Sequence, residues 1–191
     1  MYRIIIKSLI DSFLAILGLV VLSPIFLVVS FLIVFEDGFP IFFTQQRVGV
    51  NYIFFNIYKF RSMKKNTPNV ATHLLENPAQ YLLKIGGLIR RISVDELPNL
   101  INIVRGEMLF VGPRPALYNQ DDLMRLRVQA GVDQLVPGIT GWAQINGRDE
   151  NSLEEKVQYE KEYLERKSFW FDIKIVVFTF VKVSRGNGVT H

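Results

Sequence analysis

The chain contains no cysteine, which excludes disulfides, thiolate metal sites and cysteine nucleophiles. Histidine is almost as scarce. His73 and His191 lie far apart and the second is the terminus, so neither a histidine metal centre nor a Ser-His-Asp triad is expected. No Walker A loop and no dinucleotide fingerprint occurs. No internal repeat, low-complexity tract or linker divides the 191 residues, enough for one domain with a real core. What the chain has instead is apolar surface and positive charge: 49% hydrophobic residues, mean hydropathy +0.21, net charge +4 and a pI near 9.3. That balance suits an anionic lipid surface or a phosphorylated substrate. Nucleic acid matches the charge, but no nucleic-acid-binding module is present, so it is not an expected partner.

The longest apolar run, Phe13 to Phe35, is twenty-three residues without a charge. It is too long for a signal peptide and no small-residue cleavage site follows. Its length suffices to cross a bilayer, but two features oppose a simple crossing. Ser23-Pro24 sits in the middle, where proline removes a backbone bond and Ser23 could satisfy the freed carbonyl. Basic residues also flank both ends, Arg3 and Lys7 before, and Arg47, Lys59, Arg61, Lys64 and Lys65 after. A straight span would put one cluster on the wrong side of the membrane. A helix that enters, breaks at Ser23-Pro24 and leaves by the same face keeps both clusters together; a kinked span is the alternative.

The chemistry concentrates in Arg90-Arg91-Ile92-Ser93-Val94-Asp95-Glu96-Leu97-Pro98 and, further on, Gly112-Pro113-Arg114-Pro115. Proline is tolerated only in a first helical turn, so Asp95 is expected to be the N-cap, with Pro98 at the third position. The rival is Ser93 as cap with Glu96 as capping-box partner, which moves Pro98 to the fifth position. A carboxylate at a helix N-terminus beside arginines is expected to stay ionised at neutral pH. It can then bind a metal, act as a base or attack phosphorus; the plainer reading is that Asp95 only caps a helix and Glu96 is solvated. Met108 to Val111 reads as a short buried strand. Two prolines fix the backbone around Arg114, which suits a phosphate oxygen; a stiff turn with a solvent-facing arginine is the other option.

Ser93-Val94-Asp95-Glu96-Leu97-Pro98, Arg105-Gly106-Glu107-Met108 and Val111-Gly112-Pro113-Arg114-Pro115 closely resemble motifs of the bacterial sugar transferase family, the monotopic phosphoglycosyl transferases. So do Lys59-Phe60-Arg61-Ser62-Met63 and Pro137 to Arg148. The resemblance covers nearly the whole chain, in the family's order. It implies an α+β monotopic membrane protein with a re-entrant N-terminal helix, residues 1–37, and a catalytic domain, residues 38–191, on the cytoplasmic face of the bacterial inner membrane. The implied reaction moves a sugar 1-phosphate from a UDP-sugar to polyprenol (undecaprenol) phosphate, releases UMP and starts surface-glycan synthesis. Asp95 would be the nucleophile, forming an aspartyl-phosphosugar intermediate, and Glu96 a metal ligand or proton acceptor. Mg²⁺ would be held by Asp95 or Glu96 with waters. Arg90, which matches the family's arginine five residues before the nucleophile, and Arg114 would stabilise phosphate charge. Lys59 gains an active-site role over the headgroup contacts its charge equally allows, and Arg148 becomes a nucleotide-binding candidate. A homodimer is compatible with this reading. A lipid-diphosphate hydrolase or a non-catalytic membrane scaffold would be the rivals.

The remaining elements are read from pattern. Ile41 to Phe43 and Tyr52 to Tyr58 flank Gly49-Val50-Asn51 as a hairpin. Ala79 to Ile92 has helical spacing, with Gly86-Gly87 permitting close packing. Asn119 to Ala130 is expected to be helical and broken by Gly131. Trp142 and Gln144 sit in a glycine-punctuated loop, where Trp142 offers an aromatic face to a nucleobase or packs in the core. Ser152 to Arg166 reads as a helix with a Ser152/Glu155 capping box and a solvated acidic face. Phe169 to Val183 is too short to span and reads as an interfacial amphipathic helix or a buried one.

Overall fold

Proline at a helix start and serine just before it break the N-terminal apolar run in two. In the computed structural model, which describes residues 2–68, 76–147 and 151–184, α1 (Tyr2–Val21) and α2 (Ser23–Asp37) meet at a bend of 61°. Pro24 lies in the first turn of α2, where its missing N–H costs nothing. Ser23 Oγ donates to the Val20 carbonyl at 2.8 Å, satisfying a carbonyl the break releases. No single described helix is long and apolar enough to cross a membrane, though the bent pair is by length and composition.

The pair also packs on the rest of the chain. Ala15 of α1 is buried with Phe55, Ile57, Leu100, Ile103 and Met108, while Val29 and Ile33 of α2 close over Phe60, Leu83 and Ile89. Polar ties reinforce this packing. Asp11 accepts from the Phe110 N–H at 3.0 Å, and Lys7 pairs with Asp172 at 2.6 Å. At the end of α2, Asp37 pairs with the buried Arg61 and Glu36 accepts from the Lys84 N–H.

The hairpin forms as its alternation predicts. β1 (Phe42–Val48) and β2 (Phe54–Phe60) pair antiparallel, with Phe43 opposite Lys59 and Arg47 opposite Phe55, across a 3₁₀ turn at Val50–Tyr52. β4 (Ala116–Leu117) adds to the free edge of β1. A second, two-stranded parallel sheet joins β3 (Leu109–Val111) to β5 (Gly138–Thr140). Its tightness depends on glycine: a Cβ on Gly138 would come within 2.1 Å of the Gly112 nitrogen, and one on Gly112 within 2.4 Å of the Val136 carbonyl.

Helices α5 (Asp121–Gln129), α6 (Trp142–Ile145), α7 (Leu153–Arg166) and α8 (Phe169–Ser184) surround these sheets. The Ser152/Glu155 capping box is formed, and α5 ends before Gly131, whose φ is +69°. α8 buries Phe171 and Ile175 against the core and exposes Phe169, Trp170 and Phe180.

Three sequence expectations need correction. The helix over Ala79–Ile92 is only α3 (Gly86–Arg91) preceded by a 3₁₀ turn at Pro78–Tyr81, because Leu82 is drawn into a bridge with Met63 and Leu83 into the core. Gly86 does permit close packing, since a Cβ there would meet the Ser62 carbonyl at 2.1 Å. Second, Asp95 is not an N-cap. Ser93 turns the chain with φ 57°, ψ 21°, and Val94–Asn99 winds as a 3₁₀ helix before α4 (Leu100–Val104). The capping-box alternative does not form either, because Ser93 makes no side-chain cap and Glu96 is engaged elsewhere. An i→i−3 turn accepts interior Pro98 at the loss of a single bond. Third, the acidic face of α7 is not wholly solvated: Glu160 is buried and paired with Arg127. Of the two readings of Trp142, packing is the one that forms. Its ring packs 4.9 Å from that of Phe171 and its N–H donates to Glu162 at 2.7 Å.

Candidate active site

Three elements bring the charged motifs together. The end of β2 carries Lys59, the 3₁₀ segment after α3 carries Asp95 and Glu96, and the turn between β3 and β4 carries Arg114. Lys59 Nζ and Arg114 Nη2 both reach Glu96 Oε1, at 2.6 and 3.0 Å. Arg90, at the end of α3, donates from Nε to Ser62 Oγ at 2.8 Å and exerts its charge on Asp95. Arg91 is exposed. Thus Lys59, Arg90, Asp95, Glu96 and Arg114 converge. Arg148 lies outside the described residues, and Ser23 and Pro24 belong to the helix break.

The turn bearing Arg114 is held by its own backbone. The Pro113 carbonyl accepts from the Gly138 N–H at 2.9 Å, the Arg114 carbonyl from Arg127 Nη2 at 2.8 Å and the Pro115 carbonyl from Arg47 Nη1 at 3.1 Å. With proline on both sides, Arg114 has little backbone freedom left.

Adjacent in sequence, the two carboxylates have opposite environments. Burial dominates at Asp95 and Glu96 adds repulsion; together they outweigh Lys59, Arg90 and Arg114 and push its pKa up to about 6. Asp95 is thus ionised at neutral pH, as expected, but burial brings its titration close below. Burial also works to raise Glu96, but Arg114 and Lys59 overcome it and hold that carboxyl far below the usual range. Asp95 accepts no hydrogen bond among the described residues, so its oxygens are uncommitted, whereas Glu96 is tied down.

Beside this pair lies a small, open cleft lined by Arg47, Lys59, Glu96, Asn99 and Arg114 together with the apolar Ile57, Met108 and Ile139. Arg47 is a site residue the motif reading missed. Cross-strand register was the available signal, since β1–β2 pairing puts Arg47 and Lys59 on one face of the hairpin. Its pKa is lowered by burial and by Arg114 to about 10, so it remains cationic. Asn99, on the buried side of the 3₁₀ segment, was missed because nothing local marks it. Arg47 Nε and Asn99 Oδ1 are buried without hydrogen-bond partners, which leaves polar capacity in the cleft wall for a ligand. Among the described residues, four cations, Arg47, Lys59, Arg90 and Arg114, surround two carboxylates. Such an excess suits a ligand carrying two or more negative charges, and the uncommitted Asp95 can serve as its nucleophile or metal ligand.

Comparison with known proteins shows the family. The chain is 40% identical to the uncharacterized sugar transferase EpsL of Bacillus subtilis, over 97% of the chain and 90% of that protein. It is 36% identical to the exopolysaccharide production protein ExoY of Sinorhizobium fredii, over 95% and 87% respectively. A third relative, the UDP-glucose:undecaprenyl-phosphate glucose-1-phosphate transferase of Escherichia coli, is 37% identical over 90% of this chain, which spans 39% of that longer protein. The bacterial sugar transferase family model matches residues 2–186. The chain is a transferase that belongs to the bacterial sugar transferase family.

Proposed function

We propose that this protein transfers a sugar 1-phosphate from a UDP-sugar to polyprenol phosphate, with release of UMP, as the first step of a bacterial glycan. The carrying observation is the split between the two carboxylates: Asp95 uncommitted and near its titration, Glu96 locked between Lys59 and Arg114. An Asp95 oxygen attacks the β-phosphorus of the donor. The bond from that phosphorus to the bridging oxygen breaks, its electron pair leaves with UMP, and a phosphosugar-aspartyl ester remains. An oxygen of the lipid phosphate then attacks the same phosphorus and frees the Asp95 carboxylate, giving the polyprenyl diphosphate sugar. Arg114, Lys59 and Arg47 face the phosphate oxygens whose charge grows in both steps, and Arg90 counters Asp95. Glu96 orients Lys59 and Arg114. Its low pKa makes it a poor proton acceptor, and none is needed for an acceptor that is already an anion.

The donor set fits Mg²⁺, which is usually held by one or two carboxylates plus substrate phosphates. Asp95 and Glu96 Oε2, neither of which accepts a hydrogen bond among the described residues, would hold it. When bound, the ion supplies neutralisation of diphosphate charge.

The N-terminal pair is read as a re-entrant membrane element on the cytoplasmic face. Exposed Phe13, Leu27, Phe31 and Phe35 along both helices and the bend at Ser23-Pro24 support this. The exposed aromatic face of α8, with Lys174 and Lys182, suits the same lipid surface.

Intact mass after brief exposure to Mg²⁺ and a panel of UDP-sugars, without lipid, tests the mechanism. A sugar-phosphate adduct on wild type, absent from Asp95→Asn and chased by polyprenol phosphate, is the expected result. UMP released only when lipid is present, with no adduct under any donor, would sink the nucleophile and keep the transferase.

A further inference from the structure

A buried ion pair outside the cleft touches the site at one atom. Arg127 of α5 and Glu160 of α7 are 5% and 2% exposed. Arg127 Nε donates to Glu160 Oε2 at 2.8 Å and its Nη2 donates to Glu160 Oε1, a two-pronged contact that fixes the guanidinium plane. The same Nη2 reaches past the pair to the Arg114 carbonyl at 2.8 Å. Leu123 and Met124 of α5 and Val157 of α7 are buried in one apolar cluster.

A pair so deeply buried is a poor stabiliser, because desolvating both ions offsets most of their attraction. Apolar residues of similar volume would hold α5 against α7 equally well. Such residues could not donate a hydrogen bond to the Arg114 carbonyl. We infer that Arg127, fixed by Glu160, is a positioning residue that aims Arg114 into the phosphate cleft.

The geometry makes this specific. Of the carbonyls that tie the Arg114 turn, Pro113's is held by a backbone N–H and Pro115's by Arg47, itself a wall of the cleft. The Arg114 carbonyl is held from outside the cleft by a side chain whose own orientation is set 33 residues away by Glu160. The inference rests on the reading of Arg114 as a phosphate-binding residue.

The test uses the full chain in detergent, with inorganic pyrophosphate as probe, calorimetry for affinity and thermal denaturation for folding. Four forms are compared: wild type, Arg114→Ala, the double variant Arg127→Met/Glu160→Leu, and the triple combination. Arg114→Ala is expected to weaken pyrophosphate about tenfold. The double variant should melt close to wild type yet lose affinity to within about threefold of Arg114→Ala, and the triple should be no weaker than Arg114→Ala alone. A merely structural pair would instead give losses that multiply in the triple. Multiplied losses, a folded double variant that binds like wild type, or an Arg114→Ala that binds normally would each overturn the inference. If the double variant does not fold, Arg127→Lys decides by the same criterion, since it keeps the charge for Glu160 and gives up the planar fork. UMP release is measured in parallel. A wild type that releases none from any UDP-sugar fails the transferase reading and leaves the pyrophosphate comparison intact.

Discussion

The cleft around Glu96 and the pair at Arg127–Glu160 both bury guanidinium against carboxylate, yet they close their accounts differently. At Arg127 one cation meets one anion, and every donor named there has an acceptor inside the protein. At the cleft, among the described residues, Arg47, Lys59, Arg90 and Arg114 surround Asp95 and Glu96, and Arg47 Nε and Asn99 Oδ1 make no hydrogen bond. The first arrangement is complete without a ligand; the second, on the proposed function, is completed by an anionic one. Buried charge therefore marks function here through its imbalance, not through its burial.

The comparison breaks most visibly at Asp95. Asp95→Asn removes the nucleophile while keeping its shape, and transfer measured as UMP release should fall at least about 10³-fold. The nearest equivalent in the closed pair, Glu160→Gln, should act on stability instead. It leaves Arg127 buried beside a neutral amide, and unfolding free energy should drop by about 3 kcal/mol, read as a lower denaturant midpoint. Glu96→Gln should cost less stability than Glu160→Gln, because Lys59 and Arg114 line an open cleft. Its main effect should be a roughly 10- to 100-fold loss of transfer as those two cations lose their common anchor.

Stability of Asp95→Asn should move the opposite way. The folded pKa of Asp95, about 6, lies above its ordinary value of 3.8. The folded state thus holds this proton more tightly, so the group's favourable contribution is present at acid pH and lost as pH rises through about 6. Asparagine is neutral throughout and should keep that contribution, giving a gain on the order of 2 kcal/mol at pH 7. Chemical denaturation of both proteins at pH 5 and pH 7 checks it: the gain should shrink at the lower pH.

Much of this site was legible because its residues sit in short, chemically marked stretches. Asp95-Glu96 before Pro98, Arg114 between prolines and Lys59 at a strand end could each be named from neighbours alone. The hairpin and the break at Ser23-Pro24 were legible for the same reason, since alternation and proline are local signals. What could not be read depends on distant partners. Leu82 has helical spacing, but Met63 claims it for a bridge. Glu160 looks like one more acid on a charged helix until α5 delivers Arg127 to it. Trp142 could have faced a nucleobase, and Phe171 and Glu162 decide otherwise. Asp95 was misjudged as a cap, and the burial that brings its titration close to neutral pH was not foreseen. Ser93's left-handed turn and the depth of burial are products of packing that no window of sequence contains.

The smallest effect is also the most discriminating. If ionised Asp95 attacks, the pH profile of kcat/KM should carry an acid limb near pH 6, with about one tenth of the plateau rate left at pH 5. Glu96 raises the Asp95 pKa and Arg90 lowers it. Glu96→Gln should therefore shift the limb to lower pH, and Arg90→Met to higher pH, even where both variants are slow. Arg127→Lys should leave the limb in place, because Arg127 is not among the charges that act on Asp95 and its own charge is retained. A limb that moves as far in Arg127→Lys as in Glu96→Gln would mean the two clusters are electrostatically one, and the distinction between an open and a closed set of charges would fall.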